Sequence, residues 1–251
     1  MIHNADCLDI LKAIGSETID CVVTDCPYHI VGGGGTIEPR KNEPGGIFSR
    51  RKGSDDQIHN AKSGKLFNSN EIEFSEWVSE IYRVLKPDTH CYIMINARNY
   101  AELLGEAEDV GFKFQQLLVW DKGNAIPNKW YMNAYELILM LRKGYAKYIN
   151  NIGTSNILRV PNITRVKYHP TEKPTELMKI LIENSTNKGD VVLDPFMGSG
   201  STGVACKELD REFIGIEIDK KYYDIAEKRM SGTIERDQIE GQTSIFDLIG
   251  E

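Results

Sequence analysis

The feature that most constrains this chain is the regular alternation in its C-terminal part. Residues 191–193 form a short apolar run, 201–209 a helical stretch, 213–216 a second strand-like run and 222–230 a further helix. Strands alternating with helices predict a mostly parallel sheet covered by helices on both faces, an α/β fold. Upstream, residues 19–24 read as a buried strand that ends at Asp25, because Pro27 forbids its continuation. Phe74, Trp77, Val78, Ile81, Tyr82 and Leu85 recur at helical spacing, and Lys86-Pro87 stops that helix. Further strands are expected at 91–95, 114–120 and 137–141, and a helix at 100–110. Residues 150–167 read as loop. Lys173-Pro174 opens a helix through Glu183, with proline in the first turn.

At 251 residues the chain can bury a substantial core, and 41% apolar with 27% charged residues is ordinary for a soluble protein. Apolar runs such as residues 136–141 are too short to span a bilayer, and the first residues lack the pattern of a signal peptide. Five cysteines without a CxxC pair argue against a disulfide framework and a zinc site. No metal and no membrane partner are expected, and the setting is intracellular, in the cytoplasm.

The net charge of −7 at first disfavours a polyanionic partner, but its distribution is uneven. Residues 142–173 hold seven basic side chains against the single acid Glu172. Residues 32–68 hold seven basic side chains against four acids. Such runs are commonly solvated surface, so they gain meaning only if chemistry elsewhere needs a polyanion. The stretch 29–70, with four consecutive glycines and no clear periodicity, is either a functional lid or an insertion that orders on binding.

Asp194-Pro195-Phe196-Met197-Gly198-Ser199-Gly200-Ser201-Thr202-Gly203 links a strand to a helix through a glycine turn and satisfies G-x-G-x-x-G, with Glu217 ending the next strand. A nicotinamide dinucleotide enzyme is the first rival reading. Asp194 weighs against it, because a carboxylate at the strand end would repel a pyrophosphate. It suits a ligand carrying a sulfonium and an α-ammonium, while Glu217 can accept from ribose hydroxyls in either case. His169-Pro170-Thr171-Glu172-Lys173-Pro174 precedes this unit, and Lys173 at a helix start can hold a carboxylate. Near the N-terminus, Asn4-Ala5-Asp6-Cys7 ends a short strand, and Asp6 can accept from an adenine amine or cap the helix 8–14.

Thr24-Asp25-Cys26-Pro27-Tyr28 combines an acid, a rigid turn and an aromatic ring at a strand end. An exocyclic base amine is a poor nucleophile because its lone pair is delocalised into the ring. To make it attack a methyl group, a protein must accept hydrogen bonds from the amine. Asp25 and the Cys26 carbonyl are suitable acceptors, and Tyr28 can stack on a base that has left the duplex.

Asp25-Cys26-Pro27-Tyr28 resembles the D-P-P-Y motif of amino DNA methyltransferases, and residues 194–202 resemble their cofactor motif. The catalytic motif precedes the cofactor motif, so the chain is identified as a member of the β class of that family. Residues 71–87, Asn133-Ala134-Tyr135-Glu136 and residues 169–174 also match, so the resemblance covers most of residues 4–229. It implies a class I S-adenosylmethionine-dependent, Rossmann-like methyltransferase fold with a seven-stranded mixed sheet. It also implies S-adenosyl-L-methionine as donor (with S-adenosyl-L-homocysteine as product), double-stranded DNA as partner, a flipped target base and a homodimer as a common state. The methyltransferase domain is then 1–231, with insert 29–70 and a short target-recognition segment at 145–168. The cofactor residues become Asp6, Cys7, Lys173, Asp194, Pro195, Phe196, Gly198, Ser199, Gly200, Ser201, Thr202 and Glu217. Arg40, Arg50, Arg51, Lys52, Lys147, Arg159, Arg165 and Lys167 become the DNA contacts. Cys26 departs from the motif's first proline, which keeps the carbonyl but loosens the turn. An acidic first residue favours adenine N6. Cytosine N4 is the alternative, followed by an impaired DNA-binding homologue.

The tail 232–251 ends in a polar linker and the apolar cluster Ile245-Phe246-Asp247-Leu248-Ile249. Packing back onto the domain explains it. Gln242, Ile245 and Phe246 also resemble the peptides by which replication-linked proteins dock on a sliding clamp.

Overall fold

A computed structural model describes residues 1–27, 72–126, 131–145, 147–163, 168–169 and 171–234. Tyr28, the insert 29–70, Arg165, Lys167 and the clamp-like peptide lie outside the described residues. The chain divides into two compact units, residues 1–26 with 73–251 and residues 27–72; the first carries the elements below.

The elements follow in the order β1 (Ile2–Asn4), α1 (Cys7–Ala13), β2 (Ile19–Asp25), α2 (Phe74–Val84), β3 (Leu85–Ile95), α3 (Tyr100–Asp109), β4 (Lys113–Ile126) and β5 (Asn133–Lys143). Then come β6 (Ile157–Arg159), α4 (Thr175–Ser185), β7 (Val191–Asp194), α5 (Ser201–Glu208), β8 (Glu212–Glu217) and α6 (Lys220–Ser231). The sheet has eight strands in the order β1-β8-β7-β2-β3-β5-β4-β6. β5 runs antiparallel to both neighbours, so the sheet is mixed. The expected seven strands are corrected to eight. The addition is β6, three residues beside β4 within the stretch read as loop, too short for any periodicity to show. Leu158 and Val160 are buried there, and the Trp120 indole donates to the Val160 carbonyl at 2.7 Å.

Alternation decides which residues face which layer. Cys21, Val23, Tyr92, Met94, Ile138 and Met140 face α4, α5 and α6 in one core. Val22, Ile93 and Leu139 lie between them in sequence and are buried on the opposite face, where α1, α2 and α3 pack on one another. Helix α2 buries Phe74, Trp77, Val78, Ile81 and Val84, and its N-terminus is closed by a capping box in which Glu76 accepts from the Glu73 N–H at 2.9 Å. Burying each large apolar side chain of that face contributes about 2 kcal/mol.

Several strands extend beyond the apolar runs that predicted them. β3 starts at Leu85, directly after α2, and carries Pro87 within it. β4 and β5 continue past their apolar cores into polar residues at the end of the sheet where β2 ends at Asp25. Pro174 is the N-cap of α4 rather than a first-turn residue, with ψ 132° still extended.

Candidate active site

The glycine turn begins where β7 ends. Asp194 is buried, and its carboxylate accepts from Thr24 Oγ1 at 2.7 Å, Thr202 Oγ1 at 2.7 Å and the Phe196 N–H at 3.1 Å. Three neutral donors thus hold one carboxylate. Burial pushes its pKa up to about 6, and the hydrogen bonds from Thr202, Thr24 and Phe196 pull against that rise. The contact with Thr24 joins β7 to β2, so the cofactor motif and the catalytic motif meet through one side chain. Phe196 packs edge-on against Trp77, with ring centroids 5.2 Å apart.

Past Asp194, the Met197 N–H bonds the Ile216 carbonyl at 2.9 Å, and the Gly198 N–H reaches Glu217 Oε2 at 3.0 Å. Gly198 has φ 52°, and a Cβ there would meet nothing within 4 Å, so the backbone faces open space. At Gly200, with φ 82°, a Cβ would lie 2.9 Å from the Ala226 side chain, which only glycine avoids. Glu217 also accepts from the Asp219 N–H at 2.8 Å, and burial raises its pKa. Asn4 pairs with Glu217 across β1 and β8, which brings Asp6 and Cys7 to this end of the sheet. Asp6 caps α1, accepting from the Leu8 N–H at 2.8 Å. Cys7 is buried, and burial pushes its thiol up to about 12.

Asp25 ends β2 and lies in register with Met94 of β3. Its side chain retains 27% exposure, and its carboxylate is ion-paired with Lys173. Lys173 also lies 3.5 Å from Glu136, which binds Lys122 at 2.5 Å. The result is a row of alternating charge, Asp25, Lys173, Glu136 and Lys122. Burial raises the Asp25 pKa, and Lys173 opposes that rise. Burial also works to raise the Glu136 pKa, but Lys173 and Lys122 outweigh it and hold the carboxyl below its ordinary value. Lys173, expected on a ligand carboxylate, is ion-paired with Asp25 among the described residues. Cys26 is buried, and its thiol donates to the Met94 carbonyl at 3.6 Å. A side-chain tether to β3 stands where the motif has a rigid ring.

Arg229 and Glu172 were not singled out by sequence. Arg229 donates to the Ser199 carbonyl at 2.7 Å and to Ser199 Oγ at 3.0 Å, and it pairs with Glu172 at 3.2 Å. Glu172 does stand within the His169-to-Pro174 stretch, but no spacing rule points to Arg229. Glu136 and Lys122 likewise become site residues only through the antiparallel pairing of β4 and β5.

The basic side chains divide between the two ends of the sheet. Arg159 pairs in register with Asp121 beyond the catalytic row, and its side chain is 72% exposed, 3.8 Å from Asp121. Lys147 lies at the other end. It lines a cavity of about 390 Å³ together with His90, Arg142, Tyr145, Tyr148 and Asn156. Cys21 pairs with His90, four residues before Asp25 pairs with Met94, which separates the rows by about 13 Å. The other six expected DNA contacts (Arg40, Arg50, Arg51, Lys52, Arg165 and Lys167) fall outside the described residues.

A sulfonium donor with ribose and amino-acid groups needs carboxylate acceptors and room for close backbone approach. Asp6, Asp194 and Glu217 supply the first, and the open space over Gly198 supplies the second. The residues present fit that group.

Comparison with known proteins agrees. A family model described as DNA methylase, of the N6/N4 type, matches residues 19–162 and 153–228. The type II methyltransferase M2.LlaDCHI of Lactococcus lactis subsp. cremoris is 32% identical, over 92% of this chain and 88% of the relative. The type II methyltransferase M2.DpnII of Streptococcus pneumoniae is also 32% identical, with the same coverage. Among solved structures, an M1.HpyAVI–SAM complex has a TM-score of 0.65 at 28% identity, covering 91% of this chain and 98% of that one. The cytosine-N4-specific PvuII DNA methyltransferase shares the fold at 18% identity and a TM-score of 0.64, with 92% of each chain covered. With β2 and β7 joined at Asp194 and the family match running through both motifs, the chain belongs to the N6/N4 DNA methylase family.

Proposed function

We propose that this DNA methyltransferase transfers a methyl group from S-adenosylmethionine to adenine N6 at a specific site in duplex DNA, acting on a flipped base. The observation that carries the reading is the hydrogen bond from Thr24 to Asp194, which sets the catalytic strand end beside the cofactor turn. The relatives named as type II methyltransferases support site-specific modification. Among the described residues no helix is long and apolar enough to cross a membrane, and a DNA substrate accords with a cytoplasmic setting.

In this reading Asp6, Glu217 and the backbone at Gly198 hold the donor, whose sulfonium supplies an activated methyl group. Asp25 and the Cys26 carbonyl accept hydrogen bonds from the amine, which concentrates electron density on the attacking nitrogen. Burial makes Asp25 more basic than an exposed carboxylate, so it can also take up the proton that the nitrogen sheds on methylation. Lys173 stabilises the carboxylate beforehand. Arg159 faces phosphate at the catalytic end, while Lys147 lines the cavity at the other end of the sheet. The peptide with Gln242, Ile245 and Phe246 remains a proposed clamp contact, and Phe246→Ala should weaken capture on a clamp if it is one.

The direct test uses donor labelled in its methyl group and DNA of varied sequence, followed by digestion to nucleosides and mass spectrometry. N6-methyladenine is the expected product. Label found only in N4-methylcytosine would overturn the adenine assignment, and no label in DNA would overturn the activity.

A further inference from the structure

Arg229 lies in the last turn of α6, outside every motif of the sequence. Its guanidinium makes four kinds of contact. One nitrogen donates to the Ser199 carbonyl, to Ser199 Oγ and, at 3.4 Å, to Ser201 Oγ. Another pairs with Glu172, and the plane lies 4.5 Å over the Tyr168 ring. The other Glu172 oxygen accepts from the Tyr168 N–H at 2.7 Å. A second α6 residue, Tyr222, packs its ring against His169, with centroids 4.0 Å apart. Side-chain exposure is 5% at Arg229 and 0% at Glu172, so the pair is withdrawn from water.

A buried pair of this kind seldom stabilises a fold more than apolar packing of the same volume. Its distinctive effect is geometric, because a planar fork fixes both distance and angle. Here the fork joins the glycine turn to the segment whose next residue, Lys173, sits on Asp25. We propose that Arg229 is a positioning residue for methyl transfer, locking the glycine turn and the Tyr168-to-Lys173 segment into one piece. The donor pocket and the Lys173–Asp25 pair are then set by a single side chain. This inference rests on the cofactor-site reading above.

Two effects follow from loosening that lock. The turn that presents Gly198 shifts, which weakens donor binding. Lys173 also loses its place on Asp25. Among the described residues, the charged groups facing Asp25 are Lys173, Glu136 and Lys122, with Asp194 behind it. With Lys173 displaced, burial and Glu136 raise Asp25 further, so activity is lost at a higher pH on the acid side.

The test compares Arg229→Met, Arg229→Lys and Glu172→Gln with Arg83→Met. Arg83 ties α1 to α2 through the Leu11 and Ile14 carbonyls, away from the site. Calorimetry measures S-adenosylhomocysteine binding, and kcat is followed against pH. Arg229→Met should bind about tenfold more weakly or worse, with its acid limb moved to higher pH. Arg229→Lys should recover part of both losses. Arg83→Met should lower thermal stability and change neither. An Arg229→Met protein that melts early but binds normally, with an unmoved acid limb, overturns the proposal. If that variant does not fold, Arg229→Lys and Glu172→Gln are read by the same two measurements and decide it. Wild type that binds no S-adenosylhomocysteine would fail the cofactor-site reading itself, and the proposal with it.

Discussion

Two carboxylates stand at the ends of neighbouring parallel strands and are held by opposite means. Asp194 is surrounded by hydroxyl and amide donors and, among the described residues, has no cation on it. Asp25 is held by the ammonium of Lys173, which Glu136 shares. Neutral donors fixed by a turn and a helix start make a rigid support that stays the same whether or not a ligand arrives. A lysine on a flexible stem makes a partner that can yield when an amine comes to be bound. In the proposed reading, the cofactor side stays still and the catalytic side changes partners.

The sharpest break in that contrast is Asp25→Ala. It should lower kcat by about a thousandfold or more while S-adenosylhomocysteine binding stays near wild type by calorimetry. Loss of both would mean the strand end has collapsed. Lys173→Met comes next. It leaves Asp25 buried beside Glu136 without its cation, so kcat near neutral pH should fall by about a hundredfold and recover in part as pH rises.

On the cofactor side the effects are smaller. Thr202→Val removes one of three donors from Asp194 and should cost about 1–2 kcal/mol of stability, seen as a melting temperature lower by several degrees. The pH dependence sharpens the comparison further. Because burial lifts Asp194 to about 6, the folded protein binds that proton more readily than the unfolded chain. Its contribution to stability is fully present below about pH 4 and is lost as pH rises through about 6. Binding runs the other way, since the three donors need the anion. S-adenosylhomocysteine affinity should therefore fall as pH drops through about 6, and Asp194→Asn should remove that step. Asp25 and Glu217, both also raised by burial, would supply what acid dependence remains. The smallest effect belongs to Cys26. Cys26→Ala loses a weak thiol hydrogen bond and should change kcat less than threefold, whereas a larger loss would show that the tether to Met94 fixes the turn.

How far the sequence foretold these features depends on the range of the interaction. The strand–turn–helix at 191–209 and the end of β2 at Asp25 were legible because periodicity, glycine and proline act locally. β6 was not, since three residues carry no period and the strand exists only because β4 offers an edge. Arg229 escaped for a related reason, because its partners Glu172 and Ser199 lie far away in the chain and meet it only after α6 has packed. The pairing of Lys173 with Asp25 was not legible, because sequence marks a cation at a helix start without showing which carboxylate β2 brings to it. The basic run that holds both Lys147 and Arg159 spans the two ends of the sheet, a separation that charge counting along the chain does not show.

The five cysteines are all buried and unpaired, and they fall in α1, β2, the turn after it, β3 and α5. A thiol sealed in this way reacts with an alkylating reagent only when its surroundings open. Each cysteine is therefore a native clock for its own element, needing no added label. Cys26 times the turn next to Asp25, while Cys206 times the helix behind the glycine turn. Their relative alkylation rates would rank the local opening free energies on the two sides of the site in a single mass-spectrometric experiment.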